Sequence, residues 1–136
     1  MFYFQHDSLG IGSIGDDVGG GPDLTKVDKA AEQFYRVNQD LFAGYGVWSG
    51  GTMTMYYPDL WLICVRATRT GQSPEWLLYA FTSRDTPGWP TQTFTVAPPD
   101  AAAIARGLVG EGHSVALRHY ATPHLDFQAT ASTVSL

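Results

Sequence analysis

Apolar residues fall at Leu24, Val27, Ala31, Phe34, Val37 and Leu41, at steps of three and four through a largely polar run. Wound as a helix, these positions make a single apolar stripe, so the pattern predicts a helix over residues 24–43. Pro22 and Asp23 give it a start, Thr25 with Asp28 gives an alternative one, and Gly44 ends it. A second, shorter helix is predicted in "PPDAAAIARGLVGEG", where Ile104 and Leu108 stand four apart and Gly110 or Gly112 supplies the stop.

Between these helices the period changes from about 3.6 to 2. "TMTMYY" alternates Met53, Met55 and Tyr57, and "TQTFTVA" alternates Phe94 and Val96. "LWLICVRA" and "EWLLYAF" are apolar at nearly every position. A strand apolar on both faces must be covered on both, so residues 60–67 and 75–81 are expected at the centre of a sheet. The turn signals "PD", "RTGQSP" and "RDTPGWP" leave no room for crossover helices, which makes the sheet mainly antiparallel. Two further strands follow, "HSVALRHY" and "HLDFQATASTVSL". A three-residue loop between them would set Arg118 against Asp126 and Leu117 against Phe127, charge with charge and apolar with apolar. The whole reads as one α+β domain over residues 1–136: an antiparallel sheet of five to seven strands, one long and one shorter helix packed on it, and an irregular Gly-rich segment at 1–22.

Charge narrows the partners. The net charge is -5, and residues 1–40 hold Asp7, Asp16, Asp17, Asp23, Asp28, Glu32 and Asp40 against Lys26, Lys29 and Arg36. Nothing in that balance attracts nucleic acid or an anionic membrane. "MFYFQHD" has neither a basic start nor a long apolar stretch, and no segment approaches the roughly 20 apolar residues of a membrane span. A soluble protein is expected, cytoplasmic or carried inside an assembly. The one cysteine, Cys64, falls within an apolar strand, where burial leaves a thiol inert.

No motif in the chain is specific enough to name a reaction. "GIGSIGDDVGGG" fits the letters of a dinucleotide fingerprint, but a polar stretch precedes it and Asp16 and Asp17 follow it, where a pyrophosphate would be repelled. The lysine of a P-loop is missing, as is the late glutamate of a calcium loop. His113 and His119 stand too far apart on one strand to share an ion; His119, His124 and Asp126 form the one arrangement resembling a metal site, and the expected register points the two histidines to opposite faces. No nucleophile elbow occurs. Neither a cofactor nor a metal is therefore expected.

Aromatic residues are the remaining excess: four tryptophans, seven tyrosines and seven phenylalanines in 136 residues with only 15% charged. Trp89, held between Gly88 and Pro90, and Trp48, in "GYGVWSGG", are candidate interface anchors, with Tyr56 and Tyr57 beside the latter and Asp16 and Asp17 as acidic contacts. These features point to a non-catalytic protein-binding domain of the immunity, chaperone, adaptor or assembly-subunit type, binding a basic protein or associating with itself. The alternatives are a small enzyme or ligand carrier, with an apolar pocket lined by Trp48, Trp61, Tyr79 and Phe81, and a structural subunit of a larger particle.

Overall fold

The computed structural model describes residues 9–15, 20–68, 71–83, 101–121, 127 and 130–136. Its elements are β1 (Leu9–Gly15), α1 (Leu24–Val37), a 3-10 turn (Gln39–Phe42), β2 (Tyr45–Ser49), β3 (Thr52–Tyr56), β4 (Asp59–Ala67), β5 (Glu75–Ser83), α2 (Ala101–Gly110), β6 (Val115–Tyr120) and β7 (Ala131–Val134). Five strands form an antiparallel sheet in the order β1-β5-β4-β6-β7, and among the described residues β2 and β3 pair only with each other. The fold is α+β, as the pattern predicts.

The strand apolar on both faces is central for the expected reason. From β4, Leu60, Leu62 and Cys64 join Val27, Ala31 and Phe34 of α1 in one buried cluster, while Ile63 and Val65 join Ala101, Ala105 and Leu108 of α2 in another. The helices therefore cover opposite faces of the sheet. Each buried Leu or Ile contributes about 1.5–3 kcal/mol relative to exposure.

α1 starts where Asp23 accepts a hydrogen bond from the Thr25 amide at 3.0 Å, and it stops six residues before the expected end at Ala43. Both the backbone N–H and the side-chain amide of Asn38 bond to the Phe34 carbonyl, which closes the last turn. The chain then tightens into the 3-10 turn and tucks Phe42, 3% exposed, against Phe34 and Tyr35 at ring distances of 6.2 and 5.0 Å.

Three other expectations are corrected. Within the segment expected to be irregular, residues 9–15 pair with β5 as an edge strand, their register shifted between Gly10 and Gly12. That strand is antiparallel to its neighbour, whereas a dinucleotide fold has a parallel one there. Across β6 and β7, Arg118 faces Thr133 and Tyr120 faces Ala131, in place of the expected Arg118–Asp126 pairing. The carboxylate that Arg118 takes comes from α1, which removes the charge match as a guide to register. Finally, "TMTMYY" belongs to the separate hairpin, outside the main sheet. The expected strand at 91–97 lies outside the described residues.

Candidate interaction surface

The hairpin is written locally. Gly50 and Gly51, with φ of 60° and 81°, form a two-residue turn in the left-handed region that joins oppositely directed strands without splaying them. The pairs then run Ser49 with Thr52, Trp48 with Met53, Val47 with Thr54, Gly46 with Met55 and Tyr45 with Tyr56. Because strand side chains alternate, Trp48, Met53 and Met55 share one face with Gly46. A Cβ on Gly46 would meet the sulfurs of Met55 and Met53 at 3.0 and 3.2 Å, so both thioethers lie over that glycine. At the base, a Cβ on Gly44 would come within 2.6 Å of the Tyr57 ring, so only glycine fits where the chain enters the arm.

This face is open. Trp48 is 68% exposed, Met53 46% and Met55 43%, whereas Trp76 in the sheet is 4% exposed. Among the described residues the hairpin packs extensively only on itself. Residues 41–58 contain no charged side chain in a chain of net charge -5. An exposed tryptophan beside two methionines on an uncharged arm is an adaptable apolar patch that is readily desolvated.

The other candidates divide as follows. Trp48 stands at the centre of the open face, Tyr56 and Tyr57 are half-buried at its base, and Trp89, Asp16 and Asp17 lie outside the described residues. Sequence reasoning placed Met53 and Met55 on a strand of the main sheet; they lie on the separate hairpin, exposed beside Trp48. The signal available was a Gly-Gly pair flanked by alternating residues, a hairpin mark.

Two polar clusters lie on the main sheet. On the α1 face, the Arg118 guanidinium donates to both carboxylate oxygens of Asp28, at 2.9 and 2.8 Å, and the Tyr120 hydroxyl donates to Asp28 Oδ1 at 2.6 Å. Arg118 also donates to Thr133 at 2.8 Å, so the group ties α1 to β6 and β7. Burial, and then the bond to Asp28, raise the Tyr120 phenol well above its ordinary range. Burial, followed by the nearby Asp28 charge, pushes the Cys64 thiol up to about 12 from an ordinary 9.0. Cys64 is thus a protonated core residue, as its strand position implies.

On the α2 face, His119 Nε2 lies 2.8 Å from Oδ2 of Asp59, which is 3% exposed, and the Trp61 ring stacks on the imidazole at 3.9 Å. This satisfies a buried carboxylate at the start of β4. His124 and Asp126, the other members of the arrangement resembling a metal site, lie outside the described residues.

Of the residues expected to line an apolar pocket, Trp48 stands exposed on the arm, Phe81 is buried in the core, and Trp61 and Tyr79 pack partly buried against the α2-side cluster. A groove of about 940 Å3 opens at one end of the sheet, between Pro22 and Leu24 of the α1 entry and Val109, His113 and Leu136. Comparison of the chain with protein-family models, curated proteins and solved structures finds no match. Among the described residues no helix is long and apolar enough to cross a membrane.

Proposed function

We propose that this chain is a non-catalytic protein-binding domain whose contact element is the β2–β3 arm, with Trp48 as its anchor. The observation that carries the reading is the 68% exposure of Trp48 between Met53 and Met55, on a hairpin that the two core clusters do not cover. Tryptophan provides a large contact area for few frozen torsions, which is why it dominates interface energetics. The space between α1 and the sheet is filled by Val27, Ala31, Phe34, Leu62, Cys64 and Leu78, which favours a binder over a carrier with a pocket in that layer. The partner is another protein, with a basic one favoured by the acidic residues of the N-terminal part.

The test is a titration of the partner, once recovered from the source cell, against wild-type protein and Trp48→Ala. The substitution is expected to weaken binding at least about tenfold, equivalent to about 1.4 kcal/mol. A further fall in affinity between low and high salt would report the acidic contribution. Affinity unchanged by both the substitution and salt would overturn the reading.

A further inference from the structure

The arm carries a second feature, its edge. In a hairpin closed by a two-residue turn, the closing pair exchanges hydrogen bonds, and bonded and non-bonded pairs alternate from there. Ser49–Thr52, Val47–Thr54 and Tyr45–Tyr56 are then the bonded pairs, and the peptide groups of Met53 and Met55 point away from β2. Among the described residues nothing pairs with that side of β3.

The geometry points to a second copy of this chain as the occupant of that edge, with β3 antiparallel to β3 of the partner about a two-fold axis at Thr54. The inference rests on the reading of the arm as the contact element and names what its edge takes. Three observations favour a copy over an unrelated strand. First, the register is self-complementary. With Thr54 on the axis, Met53 faces Met55 of the other copy, and these are the two residues whose N–H and C=O groups point outward. Both Met53–Met55 pairs can therefore bond fully, while Thr54 meets Thr54 as a non-bonded pair with favourable side-chain contact. Second, residues 41–58 carry no charge, so two chains of net charge -5 can join here without placing like charges together.

Third, β3 lacks the devices that protect the other edges. β1 is interrupted by its register shift and its glycines, and β7 is four residues long. β3 has no bulge, proline, lysine or glycine, whereas β2 carries Gly46. A two-stranded hairpin is marginal alone, and pairing would make a four-stranded sheet with Trp48, Met53 and Met55 of both copies on one face.

The experiment is oxidative crosslinking of purified protein, read beside its mass in solution. Across a non-bonded pair the Cα atoms lie about 4.5 Å apart, within the roughly 4.4–6.8 Å that a disulfide spans. Thr54→Cys is expected to crosslink to a dimer, and Thr52→Cys, which would face Tyr56 of the other copy, is not. Cys64 stays silent because it is buried.

Met53→Pro removes an outward N–H together with the Met53 thioether and takes no hydrogen bond from the hairpin's own ladder. The double variant Met53→Lys with Met55→Lys keeps the backbone unchanged and sets lysine against lysine. Both are expected to weaken dimerisation at least tenfold. Crosslinking at Val47→Cys in place of Thr54→Cys would put the axis on β2 and overturn the assignment. A monomer that fails to crosslink at about 100 µM would also overturn it, and if Trp48-dependent binding to another protein persists, the arm reading stands. Loss of both would remove the arm reading too.

Discussion

The five-stranded sheet and the β2–β3 hairpin are both antiparallel, and each contains tryptophan, yet they stand in opposite relations to water. On the sheet, α1 and α2 cover the two faces, so β4 buries Leu60, Leu62, Ile63, Cys64 and Val65 at no more than 1% exposure. The hairpin carries no helix on the face of Trp48, Met53 and Met55 among the described residues, and those side chains stay open. The same local geometry therefore serves two ends. Where layers close over a strand its apolar residues supply stability, and where none closes they stay in water, which is the basis of the contact role proposed for the arm.

If that division holds, substitutions in the sheet should cost stability and substitutions on the arm should not. The largest loss is expected for Leu62→Ala, about 2–5 kcal/mol of unfolding free energy measured by urea denaturation, because Leu62 is fully buried between β4 and α1. A loss under about 1 kcal/mol would mean that the α1 layer is loosely packed. Asp28→Asn should cost about 2–3 kcal/mol, since it strands the Arg118 charge and weakens the Tyr120 bond; both ion-pair side chains retain some solvent contact, which keeps the figure below that of a fully buried pair. Pairing it with Arg118→Met should recover part of the loss, and strict additivity would contradict the contact.

The core is also expected to answer to alkali. Cys64 and Tyr120 have folded-state ionisations raised above their ordinary values, so the unfolded chain gives up these protons first. Stability from this source is complete below about pH 9 and declines as pH rises toward 12, because the folded state then holds more protons than the unfolded one. Urea midpoints across that range should fall, and Cys64→Ala should flatten part of the slope; a flat profile in wild-type protein would contradict the burial of both groups. The smallest effect is expected for Trp48→Ala, within about 0.5 kcal/mol, because the indole is largely exposed already.

Much of the sheet was readable in the chain because its signals are local. The apolar run from Leu60 to Ala67 demands cover on both faces, and Val27, Ala31 and Phe34 of the α1 stripe supply part of that cover, while Leu24 and Val37 at its ends stay exposed. The β6–β7 register was not readable. Its two parities differ by where one connection ends, and the charge rule chose Asp126 when the carboxylate on Arg118 belongs to Asp28, 90 residues away. The helix end was misplaced for a comparable reason: Val37 and Leu41 continue the apolar period, but Asn38 closes the last turn. On the arm, Trp48 stood out through composition. Met53 and Met55 did not, since alternation tells which residues share a face and leaves open whether anything covers it.

The most direct measurement is amide hydrogen exchange, comparing Leu62, Cys64 and Val65 with Met53 and Met55. In dilute protein the account predicts strong protection along β4 and rapid exchange at Met53 and Met55, whose N–H groups face solvent; at high concentration, or with partner bound, those two amides should slow at least tenfold. If Met53 and Met55 are protected as strongly as β4 in protein whose mass in solution is that of one chain, the arm is covered by its own domain and the division between core and contact surface is wrong.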